Sequence, residues 1–388
     1  RYAGFGTGPD RTVWEALEDA RRLRVTDNAN VNIAVLNGHY AALTETPRPI
    51  LFEPATLNTL GAFPFDDSLR CMMSTPHPVY CPRERVQYNV AVEFGRTSRY
   101  HLYRMPVDSR RREVFATLSM RTPSYMHSLA VSPRFVILCN IPFMTSARRL
   151  LSFLLLNRPL AGLYDWHPGK GVCFFLMDKK NGVLAHIAET EAFFFFHIVN
   201  AFEENGDVVL DMTAYDTPAI LDAFHLDRLQ HAGNALPGGQ LRRYRIPARE
   251  GRKHSGTITP ETISGDAHEF PRIHTAHYGQ STCSYVYACG IQSPAADGFY
   301  NQLVKLDVRR GTAAYWREEG CYPGEPVFTA APRARREDEG VILSLVLDTR
   351  SDASFLLVLD AAAFREVARV KTPLRIPFGF HGEYFPVR

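Results

Sequence analysis

Four histidines stand in settings that hold little charge. His77 lies in Ser74-Thr75-Pro76-His77-Pro78 and His127 in Ser124-Tyr125-Met126-His127-Ser128. His197 follows four phenylalanines in Phe193-Phe194-Phe195-Phe196-His197-Ile198, and His381 lies in Phe378-Gly379-Phe380-His381-Gly382. A neutral imidazole can ligate a metal or move a proton near neutral pH. Histidines this far apart carry no spacing signature of a metal site, unlike a helical H-E-x-x-H pair. On local sequence each reads first as a packed core or turn residue, with a four-histidine metal site as the alternative.

Three carboxylates complement them. Glu45 sits at a strand end in Leu43-Thr44-Glu45, Glu269 in Ala267-His268-Glu269-Phe270-Pro271, and Glu325 in Tyr322-Pro323-Gly324-Glu325-Pro326. A carboxylate among aromatics and prolines is costly to bury unless it meets a partner. The free N–H of a metal-bound imidazole is one such partner. An exposed loop glutamate is the plainer reading of each taken singly.

The elements that must hold these residues read as strands. Apolar or alternating runs recur at Val31–Leu36, Val86–Phe94, Phe135–Ile141, Val172–Met177, Ala192–Ile198, Val208–Met212, Ser284–Cys289, Gln302–Val308, Val341–Leu347 and Phe355–Leu359. They are rich in Val, Ile, Phe and Tyr and are bounded by Gly, Asn, Asp or Pro, which is strand punctuation. Glu204-Asn205-Gly206-Asp207 and Glu337-Asp338-Glu339-Gly340 read as hairpin loops. Strand follows strand without regular helices, which points to stacked sheets or a β-propeller of four-stranded blades. Helical patterns are few: Thr12–Leu23, Ser146–Leu156 and Pro218–His231.

Composition narrows the class. The chain has 388 residues, with 44 Lys and Arg against 41 Asp and Glu, a formal charge of +3. That balance gives no electrostatic case for nucleic acid. No run is apolar for the roughly 18 residues that a spanning helix needs. The seven cysteines are scattered, form no C-x-x-C pair, and cannot all pair within one chain. A cysteine-based metal site or disulfide framework is therefore not expected, and a reducing, cytoplasmic setting is.

Seven segments in order then resemble one family, the carotenoid cleavage oxygenases. The run from Phe195 to Glu204 with Val208-Val209-Leu210-Asp211 resembles its central signature. Thr75-Pro76-His77-Pro78, Tyr125-Met126-His127-Ser128, Glu269-Phe270-Pro271-Arg272, Tyr322-Pro323-Gly324-Glu325-Pro326 and Phe380-His381-Gly382 resemble further family segments. Val25-Thr26-Asp27-Asn28-Ala29-Asn30-Val31-Asn32 looks closest to the animal-type branch. The resemblance covers essentially the whole chain.

It implies an all-β, seven-bladed propeller as a single domain over 1–388. A helical cap would cover the active-site face, with cap insertions near 145–165 and 215–235. It also implies further strands before the segment matching Arg1–Asp10, so the chain reads as lacking its N-terminal strands. It implies iron(II) held by His77, His127, His197 and His381, with Glu45, Glu269 and Glu325 accepting the outer N–H of His127, His197 and His381 respectively. The implied reaction is cleavage of a conjugated C=C bond of a carotenoid or apocarotenoid by O2 to two carbonyl products. Bond choice would come from tunnel walls, for which Val31, Thr44, Phe194 and Phe196 are candidates. Val31 matches a position near the iron, and Thr44 stands where stilbene-cleaving members carry Lys, which counts against a stilbenoid substrate. A membrane-dwelling substrate makes Leu150, Leu151, Phe153, Leu154, Leu155 and Leu156 a candidate surface patch for peripheral membrane contact. The competing readings are a retinoid ester isomerohydrolase on the same site and an inactive carotenoid-binding propeller.

Overall fold

Alternation along the strands decides which face each sheet buries. In Ala353–Asp360, Phe355, Leu357 and Leu359 are buried, and they pair in register with Val346, Ser344 and Ile342 of Gly340–Asp348, which are also buried. Each such large apolar side chain contributes about 1.5–3 kcal/mol on burial. Phe135–Asn140 and Gln302–Asp307 are buried at every position, as strands covered on both faces must be.

The computed structural model describes residues 29–146, 148–150, 160–229, 235–249, 256–292 and 298–386, together with Trp14 and Glu18. Among these the chain is an all-β propeller of six sheets, each with four or five strands. The chain divides into two compact units, 1–194 with 250–257 and 195–249 with 258–388. The first unit holds a sheet running from Asn32–Leu36 to Thr59–Ala62, a second from Met73–Ser74 to Glu113–Met120, and a third built on Ala130–Val131, Phe135–Asn140, Val172–Asp178 and Leu184–Thr190. The second unit holds sheets from Ile198–Glu204 to Glu261–Ser264, from Ala267–Arg272 to Thr312–Trp316, and from Cys321–Pro323 to Arg365–Lys371. The hairpin-connected strands of each sheet pair antiparallel.

The count of six corrects the expected seven. Among the described residues the first sheet begins only at Asn32, and the stretches near 145–165 and 215–235 give short helices and a two-stranded ribbon instead of a further sheet. Helix longer than one or two turns is absent among the described residues: Leu160–Leu163, Pro168–Lys170 and Thr275–His277 are 3-10 turns, and Ala219–Ala223 and Leu226–Leu229 are single α-turns. The helix expected over Pro218–His231 is thus broken after Ala223. Thr12–Leu23 and Leu151–Leu156 lie outside the described residues, save Trp14 and Glu18; Arg148–Leu150 are helical, with Leu150 half-buried.

Nine of the ten expected strand segments form. Ala192–Ile198 does not, and regular strand begins only at Ile198. Phe193, Phe194 and Phe195 are all buried, at 2%, 0% and 2% exposure. Three successive buried rings do not alternate in and out as strand geometry requires of a half-buried sheet, and the segment instead runs as an extended lead-in that delivers His197. Asn205 and Gly206 turn the next hairpin with φ of 55° and 84°, the left-handed pair that a two-residue loop needs.

Candidate metal centre

Each functional side chain is fixed by a break in a strand or a clamped loop. In the first unit, His77 lies between Met73–Ser74 and Val79–Cys81, which both pair with Val86–Glu93. Thr75 Oγ1 donates to Asn89 Oδ1 at 2.6 Å, and the Asn89 amide donates back to Thr75 O at 3.0 Å. This reciprocal clip on the adjoining strand sets the loop. His127 follows a segment held by Tyr125 N to Phe143 O (2.8 Å) and by Tyr100 Oη, which donates to Ser124 O and accepts from Ser124 N.

The His127 ring is aimed by a carboxylate. Its Nδ1 lies 2.7 Å from Glu45 Oε1, and Tyr125 Oη donates to the same oxygen at 2.5 Å. Glu45 is 5% exposed and sits two residues past the strand His39–Leu43. With Nδ1–H given to the carboxylate, Nε2 carries the lone pair, and it faces His77 Nε2 at 3.1 Å. His77 Nδ1 lies 3.3 Å from Asn32 Nδ2, whose amide donates to Pro76 O at 2.9 Å.

The second unit repeats the device twice. His197 Nδ1 lies 2.6 Å from Glu269 Oε1, which also accepts the Phe270 N–H at 3.1 Å, while Tyr215 Oη donates to Glu269 Oε2. A bulge between Glu269 and Arg272 turns the carboxylate inward, and Phe270 takes φ 54° within it. A bulky residue in that region is strained, at about 1–3 kcal/mol. Pro271, which disfavours the right-handed helical region at the residue before it, is part of the cause. His381 Nδ1 lies 2.8 Å from Glu325 Oε1, and Gly382 N donates to Glu325 Oε2 at 3.0 Å. Glu325 occupies a gap between Cys321–Pro323 and Val327–Ala330, where Pro326 has no N–H for the ladder. His381 itself follows the last strand, Arg365–Lys371, on a segment without regular structure. His197 Nε2 and His381 Nε2 are 3.0 Å apart.

Two imidazole lone pairs 3.0 Å apart repel unless a cation lies against both. Nitrogens bound at about 2.1 Å and at right angles to one ion would be about 3.0 Å from each other. Each facing pair has the spacing of two ligands on one metal, so the residues fit a resident ion. Burial lowers the His197 pKa, outweighing the opposing pull of Glu269, and so favours the neutral, ligating ring. Burial alone would raise the Glu325 pKa, but Arg272, His381 and the Gly382 N–H bring it down to about 2.

The tunnel candidates separate. Val31 and Thr44 are buried, and Thr44 lines a small pocket with Thr75, Pro78 and Asn89. Phe194 is wholly buried in an aromatic cluster, stacked on Tyr125 at 6.0 Å and edge-on to Phe143. Phe196 is half-buried, 6.0 Å from the His197 ring and 6.1 Å from Tyr215. Tyr125, Tyr215, Arg272 and Asn32 carry contacts that sequence reasoning did not assign. Tyr125, Arg272 and Asn32 stand inside segments that resemble the family; Tyr215 lies 54 residues from Glu269 and has no local signal.

Comparison with known proteins now adds the family. The family described as "Retinal pigment epithelial membrane protein" matches residues 2–386. The chain belongs to it, the carotenoid cleavage oxygenase family. A relative from Arabidopsis thaliana, "Carotenoid cleavage dioxygenase 8, chloroplastic", is 33% identical over 381 residues, covering 93% of this chain and 65% of the relative. "Carotenoid-cleaving dioxygenase, mitochondrial" from Mustela putorius furo is 29% identical over 99% of this chain and 80% of the relative. The chain therefore spans just under two thirds of the length of the plant relative. Among solved structures, a variant of Synechocystis apocarotenoid oxygenase superposes with TM-score 0.83 at 24% identity, over 98% of this chain and 78% of that one. A cobalt-substituted form of the same enzyme gives the same values. These structures share the fold of the family member described here. No helix among its described residues is long and apolar enough to cross a membrane.

Proposed function

We propose that this chain is a non-haem iron(II) dioxygenase that cleaves one conjugated C=C bond of a carotenoid or apocarotenoid with O2, giving two carbonyl products. One observation carries the reading. In each unit two imidazoles face each other through Nε2, His77 with His127 at 3.1 Å and His197 with His381 at 3.0 Å. Three of the four have Nδ1 engaged by a buried carboxylate, which fixes the ring and raises the basicity of Nε2. Imidazole donors suit iron, and a four-histidine set would hold it without using up its capacity to bind dioxygen. Iron(II) held by these residues would supply the site at which dioxygen is bound and activated, the electrons for its reduction coming from the cleaved C=C bond.

The chain's own residues do the remainder. Glu45, Glu269 and Glu325 hold the tautomers, and Tyr125 and Tyr215 hold two of those carboxylates. The apolar surroundings, with Val31 buried, keep water from the site. A polyene offers few polar handles, so its selection rests on apolar and aromatic walls, among which Phe196 is the half-buried ring beside His197. The names of the relatives, which carry carotenoid cleavage, support this substrate class.

The test is anaerobic loading with iron(II), then addition of β-carotene or an apocarotenal with and without O2. Loss of polyene absorbance with release of an aldehyde, only with O2, is the expected result. Loss without O2 refutes the dioxygenase reading, and no loss at one iron per chain refutes catalysis on these polyenes.

A further inference from the structure

His381 is delivered by a segment that follows the last strand, so side-chain contacts and not a sheet must hold it against its carboxylate partner. Both Glu325 oxygens are taken by that segment, Oε1 by His381 Nδ1 and Oε2 by the Gly382 N–H. A competitor stands close by. Arg272, at the end of Ala267–Arg272, has Nη1 3.9 Å from Glu325 Oε1, the oxygen that His381 uses. Its Nη2 lies 2.5 Å from Glu383 Oε2. A guanidinium that closes on a carboxylate makes paired, charge-assisted hydrogen bonds stronger than one from a neutral imidazole. The Glu325 side chain is 4% exposed, so water does little to screen that attraction.

We infer that Glu383 is a positioning residue for His381, acting by holding Arg272 off Glu325. Glu383 stands two residues beyond His381 on the same segment. Docking the segment therefore brings both the imidazole and the carboxylate that draws the competing cation away. With Glu383 neutral, Arg272 needs to move only about 1 Å to reach ordinary hydrogen-bond distance from Oε1. His381 then competes with a full cation for the same oxygen, and the carboxylate is drawn toward the guanidinium and away from Nδ1. On this account Arg272 harms the site when Glu383 is gone, so removing both is milder than removing Glu383 alone. A simple ion-pair latch predicts the opposite, because the double variant has lost the latch just as completely.

The experiment compares the full chain with Glu383→Gln, Arg272→Met and the double variant. One readout is the downfield proton resonance of the His381 Nδ1–H in metal-free protein, assigned by its loss in His381→Gln. The other is cobalt(II) affinity from visible absorption, which rests on the metal reading above. Glu383→Gln is expected to lose the resonance and to weaken cobalt binding about 10-fold or more. The double variant is expected to regain the resonance and bind cobalt within about threefold of the parent. A double variant as impaired as Glu383→Gln overturns the inference. A parent chain that binds no cobalt sinks the metal reading alone, and the resonance still decides the role of Glu383.

Discussion

Glu269 can be tested through the difference between two substitutions. Its carboxylate accepts three hydrogen bonds, from His197 Nδ1 and Phe270 N on Oε1 and from Tyr215 Oη on Oε2, at 1% exposure. In Glu269→Gln the amide oxygen takes the Oε1 position and keeps the first two bonds. The amide NH2 then meets Tyr215, whose hydroxyl rotates to accept. The bonds survive but lose their charge assistance, from about 1.5–3 kcal/mol each to about 1. For the single bond that aims His197, a loss of about 1.4 kcal/mol is a 10-fold weakening of metal affinity. Glu269→Ala instead leaves three donors without their acceptor, at about 1–3 kcal/mol apiece. It is expected to weaken the metal by 100-fold or more and to lower the urea midpoint of the metal-free protein. Cobalt(II) titration and urea unfolding of both variants measure the two steps. If Gln is as damaging as Ala in both, negative charge and not hydrogen-bond count governs the site. If neither differs from the parent, Glu269 does not aim His197.

Three further outcomes follow from residues elsewhere in the fold. His268 is buried, and burial lowers its pKa from 6.5 to about 4. The unfolded chain takes up the proton first, so the stability held above pH 6.5 is lost as pH falls toward 4, by about 3 kcal/mol in all; urea midpoints of His268→Gln should lose that part of the pH dependence, and an unchanged slope refutes it. Gly182 has φ +69°, and an added Cβ would lie 1.9 Å from the Phe115 carbonyl oxygen, so Gly182→Ala should cost about 2 kcal/mol or more in denaturant unfolding, and a cost below about 0.5 kcal/mol is the contrary result. Lys305 Nζ lies 2.8 Å from Asp338 Oδ2 with both largely buried; Lys305→Met should cost about 3–5 kcal/mol, and adding Asp338→Asn should recover part of it, a recovery that fails if the pair is uncoupled.

Strand chemistry was open to reading because it is local. Val341–Leu347 and Phe355–Leu359 show their period in composition, and Asn205-Gly206 shows its turn. The run Phe193–Phe196 misled for the opposite reason: its rings are buried by tertiary contact, which composition cannot distinguish from sheet pairing. The number of sheets was equally closed to sequence, since a weak repeat does not count itself. At the proposed metal centre, His77, His127, His197 and His381 stood out by their uncharged settings and the resemblance joined them, while the carboxylate contacts of His127, His197 and His381 span 82, 72 and 56 residues. Tyr215 and Glu383 were illegible. The bonds of Tyr215 to Glu269 and of Glu383 to Arg272 span 54 and 111 residues, and nothing in their neighbours marks them.

Phe270 has a bearing on how this protein can be improved. Its left-handed backbone invites a glycine, the exchange that a search for thermal stability would select first. Yet its ring stands 5.7 Å from that of His197, 5.3 Å from that of His381 and 5.9 Å from that of Tyr300. Relief of the backbone would therefore be gained by opening space beside two imidazoles. Position 270 is where selection for heat tolerance and selection for turnover pull apart, and a library screened for one alone should drift away from the other.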